Sequence, residues 1–155
     1  MTSFDDVNKL FLSKITDDMY MELTPEDTEG LLGDLLLGAL PYFEFPRQNI
    51  NDIDLEAQVF SADLTHEEQN IIATYMIVEW FGYQLASVEN VRMKYSGTDF
   101  KFTSQANHMQ KLLQLKKDYE RMGFHLQRLY KRRRADNQGI MRSTFGDIMK
   151  TPEGV

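Results

Sequence analysis

The stretch from Thr65 to about Met93 constrains the fold more than any other part of this chain. It opens with Thr65-His66-Glu67-Glu68, a capping box in which a threonine and the glutamate three residues on satisfy each other's backbone donors. Behind it Ile71, Ile72, Tyr75, Met76, Val78, Phe81, Leu85 and Val88 are apolar on more than one side of the implied helix. A helix that is apolar around much of its circumference has to be enclosed by its neighbours. The rest of the chain must therefore supply elements that wrap a central helix.

Three other segments carry helical spacing. From about Phe4 to Tyr20, Ser3 stands as a cap, Asp5 and Asp6 occupy the first turn, and Phe4, Val7, Phe11 and Ile15 form one apolar face. Thr24-Pro25-Glu26-Asp27 starts a second helix, whose face is Leu31, Leu32, Leu35, Leu36, Ala39 and Leu40 and which Pro41 stops. A turn cluster at Tyr95 to Asp99 and an extended Phe100-Lys101-Phe102 lead to a further helix capped by Ser104 and running to about Arg134. Its stripe is Met109, Leu112, Leu113, Lys116, Tyr119, Met122, Leu126, Leu129 and Tyr130. The expected fold is all-α: a bundle of about four helices, residues 1–136, with a C-terminal arm, residues 137–155.

Residues 41–63 form the least regular stretch, with an aromatic cluster (Tyr42, Phe43, Phe45) and a polar run from Asn49 to Asp54. Such a length is unusual for a structureless connection, so partial order or function is expected, with a short extended piece at Ala57 to Phe60.

Composition excludes several classes. The 155 residues suit one domain, and 42% hydrophobic content is enough for a core. With no cysteine, disulfides, thiolate metal sites and cysteine nucleophiles are ruled out. No apolar run approaches the roughly 20 residues of a membrane span. The acidic start MTSFDD lacks the basic leader of a signal peptide, so no cleaved export signal is expected. His66, His108 and His125 form no ligand pair, and GxSxG, P-loop and GxGxxG patterns are missing. The adjacent acids at Asp5/Asp6, Asp17/Asp18, Glu26/Asp27 and Glu67/Glu68 diverge by about 100° on a helix and serve mainly as dipole partners. A protein without enzymatic activity, cofactor or metal is expected.

Charge is divided along the chain. Residues 1–91 hold 18 acids and 3 bases; residues 92–155 hold 6 acids and 14 bases; the net is −7. Two features stand out as binding surfaces. Lys131-Arg132-Arg133-Arg134 exceeds what compensating a helix dipole requires. Beyond the break Asp136-Asn137-Gln138-Gly139, the arm carries Ile140, Met141, Phe145, Ile148 and Met149, an apolar set suited to a neighbour's groove. The acidic first half disfavours free duplex binding, so an acidic protein partner is expected for the basic run.

This architecture resembles the head–tail connector, or head-completion adaptor, proteins of tailed bacteriophages. The likeness rests on about four helices with a long connection before the third, a C-terminal extension, and the stretch YSGTDFKFTSQANHMQKLL from Tyr95 to Leu113. It implies a virion neck protein, made in the host cytoplasm and assembled as a ring of about a dozen copies. Its partners would be the portal protein and a tail or stopper protein, with the arm inserted in the portal. DNA would pass through the channel without specific binding, repelled by acidic surface. The competing expectation is a cytosolic helical regulator that binds a protein or nucleic acid through Lys131 to Arg134.

Overall fold

The computed structural model describes residues 1–15, 25–94 and 102–148. Their chain order is β1 (Thr2–Ser3), α1 (Phe4–Lys14), α2 (Pro25–Ala39), a 3-10 turn (Leu40–Tyr42), β2 (Ile53–Asp54), β3 (Val59–Phe60), α3 (His66–Lys94), α4 (Phe102–Arg132), β4 (Arg133–Ala135), β5 (Met141–Ser143) and the one-turn α5 (Phe145–Ile148). The protein is a mainly α-helical bundle with small strands.

Helix α3 is the axis of the molecule. Its capping box forms: the Thr65 N–H donates to Glu68 Oε2 at 2.8 Å and the Glu68 N–H donates to Thr65 Oγ1 at 3.3 Å. Every residue from Ile71 to Val78 is buried, as the all-round apolar sequence requires. Thr74, the polar member of that run, is satisfied by donating to the Asn70 carbonyl one turn back, at 2.7 Å. At about 1.5–3 kcal/mol per large apolar side chain buried, this run is a principal source of cohesion.

Helices α1, α2 and α4 all pack against α3, and α1 also touches α2. Ser3 caps α1 by accepting the Asp5 N–H at 3.2 Å, and Phe4, Val7 and Phe11 enter the core. The expected continuation of this helix to Tyr20 lies beyond Lys14, where Ile15 is already extended; residues 16–20 and the Thr24 cap fall outside the described residues. Helix α2 buries Leu32, Leu35, Leu36 and Ala39, and Pro41 converts its end to a 3-10 turn.

Residues 41–63 are ordered. Strand β3 pairs antiparallel with both β2 and β1, in the order β1-β3-β2, with Phe60 opposite Thr2 and Ile53. The expected extended piece is thus Val59–Phe60, and the residues before α1 supply its other partner. The Asp54 carboxylate accepts the Glu56 and Ala57 N–H groups to turn the chain, and Thr2 Oγ1 accepts the Leu64 N–H at 2.8 Å. Phe43, Ile50 and Phe60 are buried, so the connection contributes to the core.

Helix α4 departs from expectation at both ends. It begins at Phe102, so Ser104 lies inside it, and it ends at Arg132, so Arg133 and Arg134 belong to a strand. The turn at 95–99 and the link at 100–101 fall outside the described residues. Leu113 and Met122, expected in the stripe, are exposed. The seam keeps Leu112, Tyr119, Leu126 and Tyr130 of the expected stripe and adds Gly123 and Gln127. Gly123 sits there because the helices close tightly: a Cβ at this position would lie 2.7 Å from Tyr75 Cζ.

Candidate functional site

The basic end of α4 is built on a buried polar network. Glu68 and Gln127 are both enclosed, and their side chains are held by hydrogen bonds from several elements. The Gln127 side chain donates to the Tyr42 carbonyl at 2.8 Å and to Tyr75 Oη at 2.7 Å, and accepts the Glu44 N–H at 2.9 Å. The Tyr130 hydroxyl donates to Glu68 Oε1 and accepts the Arg47 N–H at 2.8 Å. Burial, then the bond to Glu68, pushes the Tyr130 hydroxyl well above its ordinary pKa, so it stays a donor. These bonds strap residues 42–47 across the junction of α3 and α4.

The strap also closes the end of α4. The final carbonyls of a helix lack internal partners. Here the Arg47 guanidinium lies 3.9 Å over the Tyr130 ring and donates to the carbonyls of Tyr130 and Arg133. Thr144 covers the two between them, its hydroxyl donating to Lys131 O at 3.0 Å and its N–H to Arg132 O at 2.8 Å. The helix therefore ends in a ring of satisfied acceptors, and the chain leaves it as a strand.

The four bases divide into two kinds. Lys131 Nζ lies 3.9 Å over the Phe45 ring and 3.4 Å from Glu44. Arg133 donates twice to Glu67 Oε1, at 2.9 and 3.2 Å. Those two bases are engaged within the molecule. Arg132 and Arg134 are exposed, and neither has an ion pair among the described residues.

The apolar residues beyond the break are carried outward on a hairpin. Strand β4 pairs antiparallel with β5, setting Arg133 opposite Ser143, Arg134 opposite Arg142 and Ala135 opposite Met141. The turn is organised by Asp136, whose Oδ1 accepts the Gln138 and Ile140 N–H groups at 2.9 Å and whose Oδ2 accepts Arg142 Nε at 2.9 Å. Gly139 takes a left-handed φ of 77°, where a side chain would be strained. Arg142 and the two N–H groups hold the Asp136 carboxyl below its usual range. Ile140, Met141 and Phe145 are 50%, 46% and 69% exposed, so the hairpin carries three uncovered apolar side chains, with Met141 on the face opposite to Arg134. Ile148 closes the one-turn α5 and its side chain, like all of Met149, falls outside the described residues.

The expected boundary at 136/137 thus lies within the turn of a paired hairpin. Sequence reasoning found the basic run and the apolar set, and missed Arg47, Glu44 and Glu67 as the partners that separate engaged from free bases. The hairpin itself left a signal: a four-residue turn from Asp136 to Gly139 flanked by short segments on either side.

His66, His108 and His125 are all exposed. Among the described residues no group of three or more His, Asp or Glu is arranged to hold a metal ion, and no helix is long and apolar enough to cross a membrane. No protein-family model, curated protein or solved structure matches the chain.

Proposed function

We propose that this chain is a non-enzymatic structural assembly protein that docks, through the end of α4 and the C-terminal hairpin, onto an acidic protein surface with an apolar recess. The observation that carries this reading is the pairing of unneutralised Arg132 and Arg134 with exposed Ile140, Met141 and Phe145 on one rigid support. Charged groups on such a surface set orientation and encounter rate, and the apolar anchors supply affinity. The support is braced by Arg47 and Thr144, so little ordering entropy is lost on docking.

The finer proposal is a ring adaptor at the neck of a tailed phage, joining the portal protein to a tail or stopper protein. It draws on the resemblance of the helical architecture and of residues 95–113 to head-completion proteins. The acidic first half of the chain fits it, because acidic surface lining a channel keeps DNA from sticking. Electron cryomicroscopy of a reconstituted portal complex tests it: density for this chain beneath the portal supports the adaptor, and its absence from the neck refutes it. A regulator acting on nucleic acid would instead bind duplex DNA with a steep loss of affinity as salt rises.

A further inference from the structure

Away from the hairpin, residues of α1, α2 and the turn before β3 carry a surface of complementary character. Between α1, α2 and the turn at residues 55–58 lies an open groove of about 340 Å³. Four carboxylates line it, Asp5, Glu26, Glu29 and Asp34, and no lysine or arginine does. All four are exposed, and none has an ion pair among the described residues. Apolar surface remains uncovered between them, with Leu37 at 38% and Leu55 at 61% exposure. Asn8 also lines the groove, and its Oδ1 finds no hydrogen-bond donor among the described residues.

We infer that this groove receives the C-terminal hairpin of a second copy of the chain. The inference rests on the reading of the hairpin as a docking element and names its partner surface. The groove offers four carboxylates and uncovered leucines, and the end of α4 and the hairpin offer exposed Arg132 and Arg134 together with exposed Ile140, Met141 and Phe145. Opposite charge draws the two together, and like charge disfavours groove-to-groove or hairpin-to-hairpin pairing. The two surfaces are made of different residues, the groove on α1, α2 and residues 55–58 and the hairpin beyond α4, so the contact is head-to-tail. A head-to-tail contact leaves one groove and one hairpin free after every addition and continues until the copies close into a ring or extend as a filament.

Sedimentation velocity of the whole chain at low salt tests this with two variants. One reverses the groove, Glu29→Lys with Asp34→Lys. The other reverses the hairpin, Arg132→Glu with Arg134→Glu. All four native side chains are exposed, and the carboxylate introduced at the second hairpin position would face Arg142, so helical circular dichroism should be unchanged in both. The native chain should form salt-sensitive oligomers as concentration rises, and each variant alone should associate at least about tenfold more weakly. Mixing the two variants should restore association, because each then meets a surface of opposite charge. A native chain that stays monomeric, or variants whose mixture behaves as the two do separately, would overturn the inference. If the groove variant associates like the native chain while the hairpin variant does not, the hairpin docks elsewhere: the groove assignment falls and the docking role of the hairpin stands. If neither reversal alters association, both readings fall.

Discussion

Replacing Gly123 by alanine tests how closely α4 lies on α3. In an ordinary helix interior the change stabilises by about 1 kcal/mol, since alanine has the higher helix propensity. Here the new Cβ would lie 2.7 Å from Tyr75 Cζ and 3.0 Å from Cε1 and Cε2. The ring has little room to retreat: its hydroxyl accepts from Gln127 at 2.7 Å, and it stacks on Tyr42 at 5.1 Å with the planes 6° apart. Overpacking of this kind costs about 1–3 kcal/mol, and the pinned ring places it in the upper part of that range. The net expectation for Gly123→Ala is a loss of about 1–2 kcal/mol, a fall in Tm of about 2–8 °C for a chain of this length. Trp80, the only tryptophan and 3% exposed, reports urea unfolding by fluorescence. In a Tyr75→Leu background, which removes the ring, the same Gly123→Ala change should turn stabilising by about 0.5–1 kcal/mol. A stabilising Gly123→Ala in the native background would refute the close approach of the two helices.

Two further changes probe the support of the docking surface. Tyr130→Phe removes the hydroxyl between Glu68 and Arg47 and should lower stability by about 1–3 kcal/mol in urea unfolding. Because the folded state raises the Tyr130 pKa, its stabilisation is full below the ordinary tyrosine value of 10.0 and is lost as pH rises through the higher folded value. The native chain should therefore lose more stability than Tyr130→Phe between about pH 8 and about pH 11, measured as the change in urea midpoint. Asp136→Ala should open the hairpin turn, seen as faster amide exchange at Gln138 and Ile140 with α3 unaffected. Since its folded pKa is depressed, the native Asp136 stabilises the turn above the ordinary carboxylate value of 3.8, and protection at those amides should be lost as pH falls below it.

How far the fold could be read depended on whether its signals were local. The capping box and the all-round apolar run of α3 need only nearby residues, and both appear as the sequence implies. The seam of α4 was half hidden because two of its positions are Gly123 and Gln127, residue types that a search for apolar stripes passes over. Their burial is set by Tyr75 and Tyr42, which reach them from more than 45 residues away. The small sheet was concealed for the same reason: Thr2–Ser3 reads as a helix cap, and its pairing with Val59–Phe60 spans the first 60 residues. At the candidate site the residue types were legible and their division of labour was not. Nothing in the run from Lys131 to Arg134 distinguishes Arg133, held by Glu67, from Arg134, which faces Arg142 across the hairpin. That distinction comes from the change from helix to strand after Arg132, which turns alternate side chains to opposite faces.

The central claim is that the C-terminal hairpin is presented for docking and is separable from the core. Urea unfolding of a chain lacking Gly139 to Val155, followed by Trp80 fluorescence, tests it most directly. The deletion removes the Thr144 bonds to the Lys131 and Arg132 carbonyls and leaves the Arg47, Gln127 and Tyr130 network in place. A single cooperative transition should persist, with a loss of no more than about 3 kcal/mol. Loss of that cooperative transition would make the segment part of the core and contradict the account.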